Sequence, residues 1–322
     1  MKLSVLAVLL SNLPVKEALS YIKKAGADAV EIGCGGFPGN AHCKPAELLS
    51  DQGKLADFKA IIADSGLELA ALSTHGNPVH PDPAVAKKDH EDFVNTVLLA
   101  EKLGIDRVVT FSGCPGGSPQ DTTPNWVTCP WPNDFSDILE YQWNDVLIPY
   151  WEKTAAFAAD HGVTRVALEM HPGFCVYGPE SMMKLRNATS PVIGANFDPS
   201  HLFWQGIDPV AAIRYLGDAI HFFHAKDTKI DALNTGRNGV LDTKPYSDEL
   251  HRAWIFRTVG YGHDAQLWKD MISALRMVGY DDVLSIEHED SLMTPQEGLR
   301  KAISFLKDVM MFEGATSKAW WI

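Results

Sequence analysis

Short apolar segments alternate with longer amphipathic segments along the whole chain. The apolar segments are dense in Val, Ile, Leu and Ala, which is typical of buried strands. They lie at residues 3–10, 28–34, 68–74, 107–113, 165–171, 193–198, 219–225 and 283–288. The amphipathic segments carry apolar residues at helical spacing. They lie at about 14–25, 45–65, 84–103, 138–161, 179–187, 208–216, 265–278 and 294–311.

This strict alternation predicts parallel strands that are joined by right-handed helical crossovers. Because the strands are apolar over almost their whole length, we expect both faces of the sheet to be covered. We predict an α/β fold with one domain over residues 1–322, a (β/α)8 TIM barrel with its active site at the carboxyl ends of the strands. A doubly wound open sheet is the alternative. It would not bring the ends of the last four strands round to face the first strand.

Two strand-to-helix connections are unusually long, at about 113–137 after the fourth strand and 227–264 after the seventh. Long loops in a compact domain are usually lids or binding loops. The first loop contains Trp126 and Trp131, which could line a binding site or could only pin the loop to the barrel. The residues leave both interpretations open.

The composition limits the classes of partner. The chain has 322 residues, 46% of them hydrophobic and 21% charged, and its formal net charge is −13. Nucleic-acid binding depends on a basic surface, so this charge argues against a nucleic acid as the partner. The chain has no segment near the roughly 20 apolar residues of a membrane span. We therefore expect a small-molecule substrate, and neither a nucleic acid nor a membrane as a partner.

The termini and the cysteines bear on location and assembly. The apolar stretch after Met1 resembles a short signal-peptide core, but no cleavage site follows it, and we interpret it as the first strand. Five scattered cysteines without a Cys-x-x-Cys pair favour a reduced, cytoplasmic setting over a disulfide framework. The tail at 313–322 ends in Trp320-Trp321-Ile322, which is unusual for a solvated tail. We expect it to dock either on its own barrel or on a neighbouring subunit, and the second alternative would make the protein a homo-oligomer.

Four consecutive strands in the second half of the chain each end in a side chain that can bind a metal ion. These residues are Glu169, Asp198, His224 and Glu287. Three carboxylates and one imidazole suit a hard or borderline divalent ion, and we expect Mn²⁺, with Mg²⁺ or Co²⁺ as alternatives. The competing interpretation is that each is a buried polar side chain paired with a neighbour. Four such groups at equivalent strand ends favour the metal site, because buried charge is costly without a partner.

The motifs around these residues resemble those of the xylose-isomerase-like sugar (phosphate) isomerase/epimerase superfamily, whose members are metal-dependent TIM barrels. Asp198-Pro-Ser-His201 resembles its carboxylate-x-x-His segment, and His224-Ala-Lys-Asp227 resembles its His-x-x-Asp segment. Arg257, followed by Gly260-Tyr-Gly-His-Asp264, resembles its arginine before a glycine-bearing turn and helix. The similarity covers the barrel and is strongest from about residue 165 to 290.

The resemblance implies a sugar isomerase or epimerase. Glu169 and Glu287 would be both metal ligands and acid/base catalysts, and they would move a proton next to a carbonyl through an enediolate. Asp198 and His224 would be ligands only. The long insertion at 228–256 departs from the family pattern and puts simple free ketohexoses in doubt as substrates. A second outcome stays open, a metal-dependent lyase, dehydratase or deglycosidase that acts on a keto-sugar, an inosose or a ketoglycoside.

Five further residues are candidates for contacts with the sugar. The resemblance implies this role for Arg257 and for His201, with binding of a second metal ion as the alternative for His201. Lys226, His171 and His75 follow or end strands and could orient the substrate. Each of the five also has an ordinary structural explanation, such as a hydrogen-bonded loop histidine or a surface arginine.

Two other residues near strand ends are predicted to be structural. We expect Glu31 to form an ion pair, with a place in the pocket floor as the alternative. We expect His288 to face the helix layer because neighbouring side chains in a strand alternate. Two rival functions are disfavoured. A DNA-repair endonuclease of the related barrel type would carry a basic face, and a barrel that only binds sugar would not need two catalytic carboxylates.

Overall fold

Eight parallel strands form the central sheet of the protein, which a computed structural model describes for residues 1–314 and Trp321. In chain order they are Lys2–Val5 (β1), Ala29–Gly33 (β2), Glu68–Ser73 (β3), Arg107–Phe111 (β4), Arg165–Glu169 (β5), Ile193–Phe197 (β6), Ile220–Ala225 (β7) and Val283–Ile286 (β10). From β2 onward each strand pairs with the next one in this order, and β10 also pairs with β1. A parallel bridge between Leu6 and Glu31 joins β1 to β2. The prediction of a single (β/α)8 barrel is therefore confirmed.

Both faces of the barrel strands are buried. Inside the barrel, Phe222 packs with small and branched side chains from the other strands, namely Ala29, Ala70, Ala71, Val109, Ala167 and Val283. The opposite faces belong to the main hydrophobic core, which they share with the helices. Double burial removes the need for a polar face, and this explains why the strand segments are apolar throughout.

The helices surround the barrel. In chain order they are Val15–Ala25 (α1), Pro45–Ser50 (α2), Gln52–Ser65 (α3), Pro83–Leu103 (α4), Asp134–Glu140 (α5), Ile148–Asp160 (α6), Pro179–Ala188 (α7), Pro199–Phe203 (α8), Pro209–Leu216 (α9), Ala232–Asn238 (α10), Ala265–Met277 (α11) and Pro295–Val309 (α12). Short 3-10 helices span Ala7–Leu10 and Gly217–Ala219. Local signals set several ends. Asp208 caps α9 by accepting the N–H of Ala211, and Gly104 ends α4 with φ 72°.

The first predicted strand, 3–10, is shorter than expected. Pairing stops after β1 and the Leu6 bridge, and the chain then forms the 3-10 helix Ala7–Leu10. Ala7 and Leu10 are buried in this turn. A continuous apolar run fits a buried helical turn as well as a strand, so the pattern alone does not mark the change.

Two predicted helices are divided. The segment 45–65 contains α2 and α3, separated at Asp51, which is extended and accepts the N–H groups of Gly53 and Lys54. The segment 138–161 begins earlier, at Asp134, and its middle is a π-helix, Tyr141–Leu147. An apolar pattern at helical spacing does not distinguish one helix from two, or an α-helix from a π-helix, because the same face stays buried in each.

The 228–256 insertion is a folded unit. Its ends form an antiparallel hairpin of Asp227–Ile230 (β8) and Trp254–Arg257 (β9), with α10 between them. Trp204 and Trp254 stack with ring centroids 4.6 Å apart in a small separate core. This packing holds the insertion on the segment that follows β6.

The structure bears on three further expectations, which concern a membrane span, the cysteines and the tail. Within the described part of the chain, no helix combines the length and the apolar character of a membrane span. The five cysteines are free, and Cys129 is the exposed one among them. Trp320 and Ile322, on which the oligomer hypothesis partly rests, lie outside the described residues.

Gly194→Ala is expected to destabilise the barrel by about 1–3 kcal/mol, the usual cost of overpacking. A Cβ at this position in β6 would lie 2.5 Å from both the carbonyl oxygen of Ala219 and the ring of His221. The free energy of unfolding from urea titration measures the effect. Gly236→Ala in α10 is the matched control, because its Cβ would meet open space and alanine favours helices. Equal stability of the two variants would contradict this packing.

Candidate metal centre and active site

The structure brings the four predicted metal ligands together at the carboxyl end of the barrel. Glu169 ends β5, His224 lies in β7, and Asp198 and Glu287 directly follow β6 and β10. One donor atom from each residue lies within 4.8 Å of the others. Asp198 is oriented as the N-cap of α8, since its Oδ1 accepts the N–H of Ser200 at 2.9 Å. These four residues form a group that could hold a divalent metal ion.

The bonding of these donor atoms fits a cation. Asp198 Oδ2, His224 Nδ1 and Glu287 Oε2 are buried, and charged groups surround them, including the ammonium of Lys226 at 3.1 Å from Asp198 Oδ2 and 2.7 Å from Glu287 Oε2. His224 Nδ1 lies 3.1 Å from Glu169 Oε2 and 3.3 Å from Glu287 Oε2. Buried carboxylates are costly unless positive charge lies beside them. A divalent ion coordinated by these atoms would supply positive charge beyond that of Lys226.

Glu31 orients His224 from inside the barrel. The Nε2 atom of His224 lies 3.0 and 3.1 Å from the two carboxylate oxygens of Glu31, which also accept hydrogen bonds from Ser73 and Ser285. A carboxylate only accepts, so Nε2 carries a hydrogen, and Nδ1 is the ring atom that would coordinate a bound metal ion. A carboxylate behind a histidine is the usual support of a metal ligand. The ion pair predicted for Glu31 is present, and its partner is His224.

Three side chains hold the carboxylate of Glu169. His75 Nε2 and His201 Nε2 lie 3.1 Å from its two oxygens, and Asn196 Nδ2 donates at 3.0 Å. Burial acts to raise the pKa of Glu169, but these histidines and His224 more than offset it and hold the pKa well below its usual range. Glu169 is therefore a fixed carboxylate. His75 and His201 were predicted to contact substrate, which the contacts with Glu169 do not test.

Lys226 is a buried ammonium beside the metal-binding group. Its Nζ lies 2.7 Å from Glu287 Oε2, 3.1 Å from Asp198 Oδ2 and 2.9 Å from Glu289 Oε2. Burial acts to lower the pKa of Lys226, but the charges of Asp198, Glu287 and Glu289 raise it well above its ordinary value. The side chain partly neutralises the surplus of carboxylates. Glu289 was not identified from the sequence as part of the site.

A cavity of about 150 Å³ lies above these groups. It is lined by the polar residues His75, Glu169, His171, Lys226, Glu287 and Glu289 and by the apolar residues Leu6, Val8, Phe37, Pro38 and Phe111. Burial lowers the pKa of His171 to about 3, so its imidazole is neutral. The cavity therefore offers both polar and apolar contacts to a bound molecule.

Arg257 does not line this cavity. Its Nε donates to Asp290 at 3.1 Å, and its guanidinium lies over the ring of Tyr261. Its substrate contact stays a prediction. A Cβ on Gly298 in α12 would lie 2.2 Å from the ring of His288. The ring of His288 therefore lies against the helix layer, as predicted.

Asn196 and Glu289 are the site residues that sequence reasoning missed. Asn196 lies within an apolar strand, two residues before Asp198, and its polarity in a buried strand was the available signal. Glu289 follows Glu287 by two residues, which places both on one side of an extended chain. The spacing is a weak signal. The ion pairs of Lys226 with Glu287 and Glu289 show that the two carboxylates lie together.

Glu31→Gln is expected to weaken metal binding by about 10–100-fold, the typical cost of losing the partner behind a ligating histidine. The amide is neutral and can donate, so it would no longer favour the tautomer that presents Nδ1. Competition between the apo protein and a chromogenic chelator for Mn²⁺ or Zn²⁺ measures the affinity. Glu47→Gln, at an exposed glutamate, is the control. Unchanged affinity in Glu31→Gln would show that Glu31 does not support a ligand.

Comparisons with known proteins agree with the fold. The sequence profile of the xylose isomerase-like TIM barrel family matches residues 19–309. The uncharacterized protein YfiH of Bacillus subtilis (strain 168) is 41% identical over 313 residues, which cover 96% of this chain and 99% of YfiH. The relationship therefore extends over nearly the full length of both chains.

Several solved structures share the architecture. The IOLI protein with a bound zinc atom superposes with a TM-score of 0.65 at 22% identity, covering 96% of this chain and 98% of IOLI. The probable 3-DHS dehydratase AsbF from Bacillus anthracis gives 0.65 at 16% identity, covering 95% and 99%. An L-ribulose 3-epimerase gives 0.62 at 19% identity, covering 96% and 94%. At these identities the likeness shows the fold alone.

Proposed function

The chain belongs to the xylose isomerase-like TIM barrel family, and we propose that it is a divalent-metal-dependent sugar isomerase or epimerase. One observation carries the proposal. Glu169 and Glu287, from strands three places apart in the barrel, converge on His224 Nδ1 at 3.1 and 3.3 Å, directly below a cavity of about 150 Å³. A sugar bound in this cavity would contact both carboxylates.

The proposed chemistry is proton transfer next to a carbonyl. Glu287 would take the proton from one face of the carbon, and Glu169 would return a proton to the other face, which inverts the centre. If the proton instead moves to the adjacent carbon, the result is aldose–ketose isomerisation. A divalent ion bound by Glu169, Asp198, His224 and Glu287 would offset the negative charge that develops on the carbonyl oxygen. General acid–base help of this kind contributes about 10²–10⁴-fold.

The surroundings support these roles. His75 and His201 hold the two oxygens of Glu169, so the carboxylate is already oriented before substrate binds. Lys226 lies 2.7 Å from Glu287 and would keep that carboxylate unprotonated before substrate binds. The neutral ring of His171 lines the same cavity and can hydrogen-bond a hydroxyl group.

We propose Mn²⁺ as the ion. Three carboxylates and one imidazole favour oxygen-preferring divalent ions, and Mn²⁺ also accepts nitrogen. The IOLI protein, which shares the fold, binds a zinc atom, and this supports a divalent ion here. The substrate would be a small sugar, with no nucleic acid or membrane as a partner. The cytoplasmic setting and the homo-oligomer stay predictions.

A lyase is the second candidate, and the position of Lys226 favours it. A buried ammonium beside Glu287 could neutralise a hydroxide or alkoxide that leaves from the carbon next to the deprotonated one. The same proton abstraction would then end in elimination. A keto-sugar, an inosose or a ketoglycoside would be the substrate.

Nuclear magnetic resonance in D₂O tests the proposal. The protein is loaded with Mn²⁺ and incubated with a panel of ketoses, ketoglycosides and inososes, and the metal is removed before spectra are recorded. An isomerase or epimerase would exchange a carbon-bound proton for deuterium and retain every oxygen. A lyase would give an unsaturated product. Metal-loaded protein that exchanges no proton in any member of the panel would contradict both candidates.

A further inference from the structure

An exposed phenylalanine borders the metal-site cavity and is held rigidly. Phe37 lines the cavity together with Glu169 and Glu287, yet 74% of its surface is exposed. Its N–H donates to the carbonyl oxygen of His75 at 2.7 Å. Gly36 has φ 62°, and a Cβ there would lie 1.8 Å from the same carbonyl oxygen, so the loop lies tightly against the segment after β3.

Phe37 continues an aromatic surface that begins in the cavity. Its ring centroid lies 6.0 Å from that of Phe111, which lines the cavity, and Phe111 stacks on Phe174 at 4.2 Å. A large apolar side chain at a rim stays wet unless a ligand or partner covers it. Its continuity with the cavity identifies a ligand in the cavity as the group that covers it.

The folded insertion supplies a second exposed aromatic side chain. Tyr246 is 58% exposed, and its ring lies nearly parallel to that of Phe256, with centroids 5.9 Å apart. Phe256 in turn contacts the metal site, because its ring lies 5.3 Å from the ring of His201 and 4.7 Å from the ammonium of Lys226. Tyr246 is therefore the next layer outward from the catalytic groups.

The insertion holds Tyr246 in place. The guanidinium of Arg252 is buried and lies 4.3 Å from the centroid of Tyr246 and 4.7 Å from that of Trp254. Arg252 also donates to the carbonyl oxygens of Trp254 and Lys244. A ring fixed in this way loses little conformational entropy when a ligand packs on it.

The cavity volume sets the size of the inner group. About 150 Å³ corresponds to roughly five water molecules at about 30 Å³ each, which is the scale of one sugar ring. A substituent on that ring would extend past exposed Phe37 at the cavity and toward exposed Tyr246, which packs on Phe256 beside Lys226.

We propose that the substrate is a keto-sugar glycoside with a ring-bearing aglycone, whose sugar ring occupies the cavity and whose aglycone packs against Phe37 and Tyr246. This inference rests on the proposed function. Phe37 and Tyr246 would determine specificity by binding the aglycone. Glu169 and Glu287 would act on the sugar ring in either proposed reaction.

Kinetics on matched substrates test the inference. The probes are 4-nitrophenyl α- and β-glycosides oxidised to a ketone at one ring carbon, and the same keto-sugars with a free anomeric hydroxyl. The full-length protein is loaded with Mn²⁺, and KM and kcat are measured for deuterium exchange. Aromatic contacts predict a KM about tenfold lower for the preferred glycoside than for the free sugar. This ratio is expected to fall toward one in Phe37→Ala and in Tyr246→Ala.

Control variants separate stacking from other effects. Tyr246→Phe keeps the ring and is expected to retain the preference for the glycoside. Tyr215→Ala removes a tyrosine of α9 that is equally exposed, at 59%, and is expected to leave the ratio unchanged. Wild-type protein that exchanges the free sugar with a KM as low as the glycoside overturns the inference and leaves the proposed function intact. A preference that survives in both alanine variants also overturns it. Exchange with neither substrate class would contradict the proposed function, and the inference would fall with it.

Discussion

Glu169→Gln is expected to lower the rate of epimer or isomer formation by about 10²–10⁴-fold. Glutamine keeps the shape of the side chain but cannot accept a proton at neutral pH. Glu287→Gln is expected to have an effect of similar size, because each carboxylate serves one face of the carbon. The rate is measured by nuclear magnetic resonance with the substrate identified from the panel, and the metal content of each variant is measured by atomic emission.

The pattern of exchange distinguishes the two variants. In Glu169→Gln, Glu287 can still remove and return a proton on its own face, so one epimer is expected to exchange deuterium without inversion. The other epimer is expected to exchange in Glu287→Gln. Exposed Glu47→Gln is the control and is expected to behave like the unmodified protein. If Glu169→Gln binds metal and inverts the centre at the normal rate, Glu169 is not an acid/base catalyst.

Lys226→Met is expected to destabilise the metal-free protein by about 3–5 kcal/mol, the cost of removing one partner of a buried ion pair. The ammonium lies within 3.1 Å of carboxylate oxygens of Asp198, Glu287 and Glu289, and methionine would leave these groups without its charge. A divalent ion bound by Asp198 and Glu287 would replace part of the lost positive charge. Saturating Mn²⁺ is therefore expected to stabilise the variant more than it stabilises the unmodified protein.

Thermal and urea unfolding with and without Mn²⁺ measure this difference. An ion at about 100 times its dissociation constant adds about 2.7 kcal/mol to the stability of any protein that binds it only when folded. The gain in stability of Lys226→Met should be larger than that of the unmodified protein at the same Mn²⁺ concentration. Removing the competing positive charge raises the affinity of the variant for the ion. Lys229→Met is the control, because Lys229 is an exposed residue of β8. Equal gains in Lys226→Met and in the unmodified protein would show that the ammonium and the ion do not share the site.

The barrel was predictable because its signals are local. Each strand is a short apolar run, each helix has its own amphipathic period, and the order of the two classes limits the topology to few choices. The predicted metal ligands were visible for a related reason. Parallel barrel strands end at the same rim, so a charged residue that ends an apolar run is expected to lie at that rim. Glu169, Asp198, His224 and Glu287 all obey this rule.

Other features were not predictable because they depend on contacts between distant parts of the chain. The segment 3–10 could be a strand or a helical turn, and the choice rests on where pairing with β2 stops. The hairpin of β8 and β9 has strands of four residues each, separated by more than twenty residues, which is too weak a pattern to find. The direction of Arg257 is set by Asp290, thirty-three residues away.

The sequence by itself determined the class of fold, the rim that carries the chemistry and the donor types that gather there, because periodicity and strand-end position are properties of neighbouring residues. Only the tertiary structure decided how those donors are held. Glu31 reaches His224 from 193 residues away, and His75 reaches Glu169 from 94 residues away. Such partners have no spacing rule, since barrel closure and side-chain packing bring them together. The same packing places Phe37 beside Glu169 and Glu287 at the cavity.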